Sequence, residues 1–160
     1  MRRSKPDAGE LDAPACRRIA IELLARREHS RRELTRKLSS RGFPEDVIAG
    51  VLDELEQSGE LADARFTDTF VRSRVAKGRG PQRIRAELAQ RGIGDSAADE
   101  VLRGAEVDWL ETVRAVRCKR FGAELPRDYA ERARQARFLQ YRGFSSEQIR
   151  AALELDADSD

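Results

Sequence analysis

The sequence is poor in the residues that build most catalytic and metal sites. Its 160 residues include one histidine and two cysteines, and 6% are aromatic. Neither Cys16 nor Cys118 has a metal-ligand spacing to another cysteine or histidine, and no nucleophile elbow or dinucleotide fingerprint occurs. His29 precedes Ser30 at a predicted helix end, where capping explains it better than catalysis. We predict no enzyme activity, no catalytic residues, no metal and no cofactor.

Long apolar runs are also missing. No stretch approaches membrane-spanning length, and the charged N-terminus lacks the hydrophobic segment of a signal peptide. A disulfide between Cys16 and Cys118 would be the only one in the chain, and nothing in the sequence indicates an oxidising compartment. The sequence therefore predicts a soluble cytoplasmic protein that does not bind membranes.

The composition favours helices arranged around a thin core. Hydrophobic residues make up 39% of the chain and charged residues 38%, which argues against one thick globular core. No segment alternates with a period of two residues, so no strands are predicted. Apolar residues instead recur at helical spacing, as Phe66, Phe70 and Val71 do in the middle of the chain.

An internal repeat organises these helices. Gly42, Gly92 and Gly143 are 50 and 51 residues apart, and each has a leucine four residues earlier and an arginine directly before it. Such periods are typical of small units that stack on their neighbours. We predict an all-α fold of three tandem three-helix repeats, stacked into an elongated, curved array of either hand. The predicted segments are a mobile N-terminal arm (1–13), the repeats (14–60, 61–105 and 106–155) and an acidic tail (156–160).

Capping residues predict where several helices begin. Ser30 with Glu33 and Ser145 with Gln148 match the capping box. Asp63 is the predicted N-cap of the fourth helix. Further starts are predicted at Pro44 and Pro81, and Asp95 or Ser96 is the predicted cap of the sixth helix. Gly78 is predicted to end the fourth helix.

Charge sign alternates along the chain in blocks. Residues 17–41 contain nine bases and three acids, whereas residues 45–63 contain seven acids and no base. Residues 72–91 contain seven bases and a single acid, Glu87. Helices aligned in space would give one basic and one acidic face, while the alternative is ordinary solvated helix surface with local pairing.

The joint at residues 77–81 contains two glycines before a predicted helix start. These glycines could expose backbone N–H groups to a phosphate, or they could serve only as a linker.

The middle of the chain carries a dense set of motif residues in unbroken register: Leu61, Asp63, Arg65, Phe66, Phe70, Val71, Arg74, Lys77, Gly78, Gly80, Pro81, Arg83, Ile84, Glu87, Leu88, Arg91, Gly92 and Ile93. Further motif residues stand at 41–43, 137–139 and 142–144. With these residues the chain resembles the RecX family of recombinase regulators over roughly Ala15 to Leu153.

The resemblance implies both a partner and an activity. It implies binding in the helical groove of the RecA–single-stranded DNA filament, with inhibition of filament extension, ATP hydrolysis and strand exchange. The protein would thereby modulate recombination, DNA repair and the SOS response, and we expect it to act as a monomer. Direct contact with single- or double-stranded DNA stays open. The alternative is a sequence-nonspecific DNA-binding protein of tandem helix-turn-helix-like units.

Charge clustering, rather than the resemblance, selects the candidate partner-binding residues. We expect them to supply electrostatic steering and hydrogen bonds to acidic protein groups or phosphates. Tyr129 and Tyr141 are weaker candidates for stacking on bases. The candidates are Arg72, Arg74, Lys77, Arg79 and Arg83 in the central repeat, with Arg31, Arg32 and Arg36 in the first and Arg132, Arg134 and Arg137 in the third.

Overall fold

Residues 11–154 are described by a computed structural model, and within them the chain forms nine α-helices and no β-strand. This confirms the all-α prediction. The helices are α1 (Ala13–Arg26), α2 (Arg31–Ser40), α3 (Glu45–Gln57), α4 (Asp63–Ala76), α5 (Pro81–Gln90), α6 (Asp95–Gly104), α7 (Trp109–Phe121), α8 (Tyr129–Arg142) and α9 (Ser146–Leu153). The predicted acidic tail and most of the predicted arm lie outside the described residues.

The chain divides into two compact units. The first ends at Thr69 and also includes Gln90–Ile93, whereas the second comprises Phe70–Ala89 and continues from Gly94. Helix α4 therefore begins in the first unit and ends in the second. The boundaries of the three repeats, and the shape of the array they form, stay predictions.

Each unit has an apolar core made by its own helices. In the first unit α1 packs on α3 and α2, and the core includes the fully buried Leu34, Leu52 and Leu55. In the second unit α7 packs on α9 and α8 around Val113 and Phe144. These cores follow from the helical spacing of the apolar residues, since each helix buries one stripe.

Equivalent leucines and glycines display the predicted repeat. Leu38, Leu88 and Leu139 are each 0% exposed. The glycine four residues after each leucine has the left-handed backbone that commonly follows a helix. These glycines are Gly42, Gly92 and Gly143, with φ of 95°, 82° and 97°. The structural explanation for the arginine–glycine pairs is confirmed.

Most of the predicted helix starts are correct. Ser30 Oγ accepts the backbone N–H of Glu33 at 3.1 Å, and Ser145 forms a complete capping box with Gln148. Pro44 is the N-cap residue of α3 and Pro81 is the first residue of α5. Both prolines thus lie at helix starts, where their fixed φ and missing N–H are tolerated.

Two predicted caps are wrong. Asp63 is the first residue of α4 rather than its N-cap, and its Oδ1 accepts the backbone N–H of Arg31 at 2.8 Å. Helix α6 begins at Asp95 with Gly94 as its N-cap, and no side chain caps it. In the first case packing between helices supplies a partner that sequence spacing does not reveal.

Candidate partner-binding surface

The joint between α4 and α5 lies against the C-terminal end of α8. The backbone N–H of Gly80 donates to the carbonyl oxygen of Arg142 at 2.8 Å, and that of Gln82 donates to Gly143 at 3.0 Å. A Cβ atom on Gly80 would overlap the Gly143 carbonyl group, so close backbone approach requires the glycine. Because both N–H groups are bonded within the protein, these contacts favour a linker role over a phosphate cradle.

Two of the predicted site residues, Arg74 and Arg83, share one carboxylate. Arg74 Nε lies 2.7 Å from Glu87 Oε2, and Arg83 Nε lies 3.4 Å from Glu87 Oε1. Burial acts to raise the pKa of Glu87, but hydrogen bonds and attraction from the two arginines outweigh burial and lower it. Arg74 also lies over the Phe70 ring at 4.4 Å. Both arginines therefore support the fold, and Glu87 offsets part of their charge.

Four other side chains form what we call the basic cluster: Lys77, Arg79, Arg120 and Arg142. Arg142 joins the cluster to the α4–α5 joint, since its Nη1 donates to the Lys77 carbonyl oxygen at 3.4 Å. Burial lowers the pKa of Arg142, and the positive charges of Arg79, Arg83 and Arg120 lower it further. Positive charges held this close attract anionic groups.

Half of the basic cluster is absent from the predicted site. Arg142 precedes a turn glycine, as Arg41 and Arg91 do, so its position in the repeat is explained without a partner. Arg120 stands in the last turn of α7, where a base is expected because it complements the helix dipole. Arg120 and Arg142 are brought together by tertiary packing, because α7 and α8 lie against each other.

The candidate residues of the first repeat differ in their burial and in their contacts within the protein. Arg31 is half-buried, and its Nη1 contacts Asp53 at 2.8 Å and Glu56 at 3.1 Å. Arg32 is exposed, but its aliphatic stem lies against Gly92. Arg36 has an exposed side chain on α2. Arg31 is therefore mainly a bridge between α2 and α3.

The candidates of the third repeat lie along α8. Arg134 forms an ion pair with Glu131 at 2.9 Å and lies over the Phe121 ring at 5.1 Å. Arg132 and Arg137 are exposed. In the central repeat Arg72 is also exposed, on α4. The structure thus brings Lys77, Arg79 and Arg83 together around the end of α8, and it joins Arg74 to Arg83 through Glu87.

The alternating charge blocks pair with one another between helices. Arg17 of α1 contacts Glu54 of α3 at 2.6 Å, and Arg85 of α5 forms an ion pair with Asp99 of α6. Bases of the first two basic blocks therefore pair with acids of the helix that follows the block, within the same unit. Such exposed pairs contribute little to stability, about 0–1 kcal/mol each. The basic and acidic faces expected from the alternation stay a prediction.

The single histidine and the two cysteines were not predicted to be catalytic, and the structure shows their surroundings. His29 is 1% exposed, with Nδ1 2.9 Å from the Arg27 carbonyl oxygen and Nε2 2.9 Å from Lys37 Nζ. Cys16 is buried, Cys118 is exposed, and both are free thiols. Among residues 11–154, no group of three or more His, Cys, Asp or Glu side chains is placed to hold a metal ion. The same residues contain no helix with the length and apolar character needed to cross a membrane.

Comparison with known proteins places these features in a family. Family models for the first, second and third three-helix domains of RecX match residues 16–55, 63–102 and 106–153. The chain is 55% identical to the regulatory protein RecX of Halorhodospira halophila over 138 residues, covering 86% of each chain. It is 50% identical to that of Ectopseudomonas mendocina over 140 residues, covering 87% of this chain and 93% of the relative.

Solved structures agree on the fold. A crystal structure of RecX from Lactobacillus salivarius superposes with a TM-score of 0.75 at 22% identity, covering 88% of this chain and 94% of that one. A second crystal structure, of a regulatory protein RecX, gives a TM-score of 0.70 at 22% identity and covers 72% of its chain. Helix content, internal repeat, matched domains and close relatives together show that the chain belongs to the RecX family of regulatory proteins.

Proposed function

We propose that this protein regulates the RecA recombinase by binding in the helical groove of the RecA–single-stranded DNA filament. Bound there, it inhibits filament extension, ATP hydrolysis and strand exchange. It acts in the cytoplasm as a monomer, without a cofactor or a reaction of its own. Membership of the RecX family supports this role, and the observation that carries the contact surface is the basic cluster of Lys77, Arg79, Arg120 and Arg142.

Electrostatics explains how such a cluster could serve a regulator. Lys77 and Arg120 are exposed, so their charges can reach a partner, while Arg79 and Arg142 are half-buried. A surface of concentrated positive charge accelerates association with an acidic partner and fixes its orientation. A filament repeats its binding surface along its length, so contacts to more than one subunit would favour assembled filament over free recombinase.

A second candidate function is sequence-nonspecific DNA binding, which the same basic cluster favours. Phosphate contacts by lysine and arginine give affinity that falls steeply with salt. The acids of α3 and α6 weigh against a long duplex footprint, although Arg31 and Arg85 offset some of them. This candidate therefore predicts binding to bare DNA without any recombinase.

Comparing three targets separates the two functions. Binding would be measured to bare single-stranded DNA, to free RecA and to assembled filament, each at low and high salt. The proposal expects the tightest binding to filament, together with inhibition of RecA ATP hydrolysis. Strong binding to bare DNA with a steep salt slope, and no preference for filament, would instead establish the second candidate.

Charge reversal tests the surface itself. The double variant Lys77→Glu with Arg79→Glu should weaken inhibition of RecA ATPase while leaving the helical circular dichroism signal intact. Arg18→Glu with Arg26→Glu makes the same charge change at two exposed positions of α1 and serves as the matched control. Equal inhibition by both double variants would remove the basic cluster from the mechanism.

A further inference from the structure

A groove of about 560 Å³ opens beside the basic cluster, within the second unit. The end of α4 and the following joint form one side, and helices α7 and α8 form the others. Its walls combine apolar side chains with basic ones, three of which belong to the basic cluster. The lining residues that matter are Val75, Val116 and Phe138, with Lys77, Lys119, Arg120 and Arg142.

The floor of the groove is apolar and its space depends on a glycine. Val75, Val116 and Phe138 are half-buried, so part of each side chain faces the groove. Gly78 adopts φ of 76°, and a Cβ atom there would approach Val116 Cγ2 to 3.0 Å. A side chain at this position would be strained and would crowd the floor.

The rim of the groove is basic. Among the lining residues four bases, Lys77, Lys119, Arg120 and Arg142, stand against a single acid, Glu111. Lys77, Lys119 and Arg120 are exposed and can reach a bound molecule. An apolar floor with a positive rim is complementary to a molecule that carries both apolar and acidic groups.

The aromatic ring in the floor is already covered. Arg142 lies over Phe138 at 5.0 Å and Arg120 lies over it at 5.7 Å, while Phe121 meets it edge-to-face at 5.3 Å. A nucleic-acid base would have to displace these guanidinium groups before it could stack. An aliphatic side chain needs no such displacement, because it can pack on Val75 and Val116.

We propose that this groove binds an acidic amphipathic peptide segment of a protein partner, with an apolar side chain on the floor and carboxylates along the rim. The assignment of that segment to the recombinase rests on the proposed function. Binding of an amphipathic helix in a groove by a few apolar anchors is a common mode of peptide recognition. The rim would then set the orientation and the salt dependence of binding.

A designed peptide tests the groove without any recombinase. The probe is a fluorescently labelled helical peptide with glutamates on one face and leucines on the other, titrated with the full chain at low and high salt. A scrambled peptide of the same composition is the control for charge alone. We expect the amphipathic peptide to bind more tightly than the scrambled one, and its affinity to fall as salt rises.

Two variants address the floor and the rim separately. Ala115→Trp should obstruct the groove without changing charge, since Ala115 is an exposed lining residue of α7; Ala130→Trp on α8 is its control. Lys119→Glu with Arg120→Glu should weaken peptide binding at least about tenfold, which corresponds to about 1.4 kcal/mol. Circular dichroism and thermal unfolding establish that each variant is folded.

The outcomes separate this inference from the proposed function. The groove assignment is overturned if Ala115→Trp binds the peptide as well as the unaltered chain does, or if a single-stranded oligonucleotide competes as well as unlabelled peptide. Inhibition of RecA without any peptide binding would overturn the groove alone. Peptide binding lost in both groove variants, in a protein that does not inhibit RecA, would support the groove and overturn the proposed function.

Discussion

The carboxylate of Asp63 accepts the backbone N–H of Arg31 at 2.8 Å, so the first residue of α4 is bonded to the first residue of α2. An N–H in the first turn of a helix has no partner within that helix. Asp63 satisfies this donor, and its negative charge lies where the α2 dipole favours an anion. One side chain thereby ties the start of the second repeat to the first.

Replacing Asp63 tests how much this hydrogen bond contributes to the free energy of unfolding. We expect Asp63→Ala to lower the free energy of unfolding by about 0.5–2 kcal/mol, the range for losing a helix N-terminal acceptor. Asp63→Asn keeps an acceptor oxygen and should lose less. Chemical denaturation measured for both variants checks this, and equal losses would mean that the hydrogen bond does not account for the effect.

The close approach of Gly80 to Gly143 gives a second prediction. Gly80→Ala should destabilise the protein by about 1–3 kcal/mol or more, because backbone atoms on both sides must move to admit the methyl group. Gly50→Ala is the matched control. Gly50 lies within α3 with open space around its Cβ position, so alanine there should stabilise by up to about 1 kcal/mol.

Thermal unfolding of the two alanine variants provides the measurement. Opposite shifts in Tm are expected, downward for Gly80→Ala and upward for Gly50→Ala. A Gly80→Ala protein as stable as the unaltered chain would show that the joint does not approach the end of α8 as closely as described.

The helices and turns could be predicted from sequence because their causes are local. Gly42 follows a polar helix that buries only Leu34 and Leu38, and it occupies a conformation that alanine adopts poorly. Ser145 precedes Gln148 at capping-box spacing. Such signals need only a few neighbouring residues. The predicted cap at Asp63 failed because a residue of another helix, Arg31, is its partner.

The candidate site could be predicted only in part, because it depends on packing between distant segments. The basic residues at 77 and 79 stand out in the sequence as a run of charge. That Arg120 and Arg142 join them follows from how α7 and α8 meet, which no spacing encodes. Likewise Arg74 and Arg83 look equivalent to Arg79 in sequence, yet Glu87 binds the first two.

His29 predicts how stability depends on pH near neutrality. Burial lowers the pKa of His29, the positive charges of Arg27 and Lys37 lower it further, and Glu33 and a backbone bond oppose them. The folded protein therefore binds a proton at His29 less readily than the unfolded chain. The stability that depends on neutral His29 is fully present above the unfolded pKa, near 6.5. It is lost as pH falls from there towards the folded pKa, because the unfolded chain binds the proton first.

The variant His29→Gln removes this titration. We expect the unaltered chain to lose stability below pH ~6.5 with a slope of at most about 1.4 kcal/mol per pH unit from this group, and His29→Gln to lack that component. Denaturant unfolding across the range from mildly alkaline to mildly acidic pH checks it. Identical pH profiles for the two proteins would mean that folding does not lower the pKa of His29.

Glu87 predicts a second pH dependence, at lower pH and in the other unit. Its pKa lies below the ordinary value of 4.5 because Arg74 and Arg83 outweigh the effect of burial. The stability it contributes is therefore present above the unfolded pKa and is lost as pH falls through the folded pKa. Since Glu87 is 22% exposed, solvent screens it only partly, and Glu87→Gln should cost about 1–3 kcal/mol at neutral pH.

A matched substitution separates this half-buried contact from an ordinary surface pair. Glu124 pairs with Arg127 at 3.5 Å, but both side chains are 85% exposed, so Glu124→Gln should change the unfolding free energy by no more than a few tenths of a kcal/mol. The difference between Glu87→Gln and the unaltered chain should vanish as Glu87 becomes protonated in acid. A difference that persists unchanged at the lowest pH where the protein still folds would show that shape, rather than the charge shared with Arg74 and Arg83, makes Glu87 stabilising.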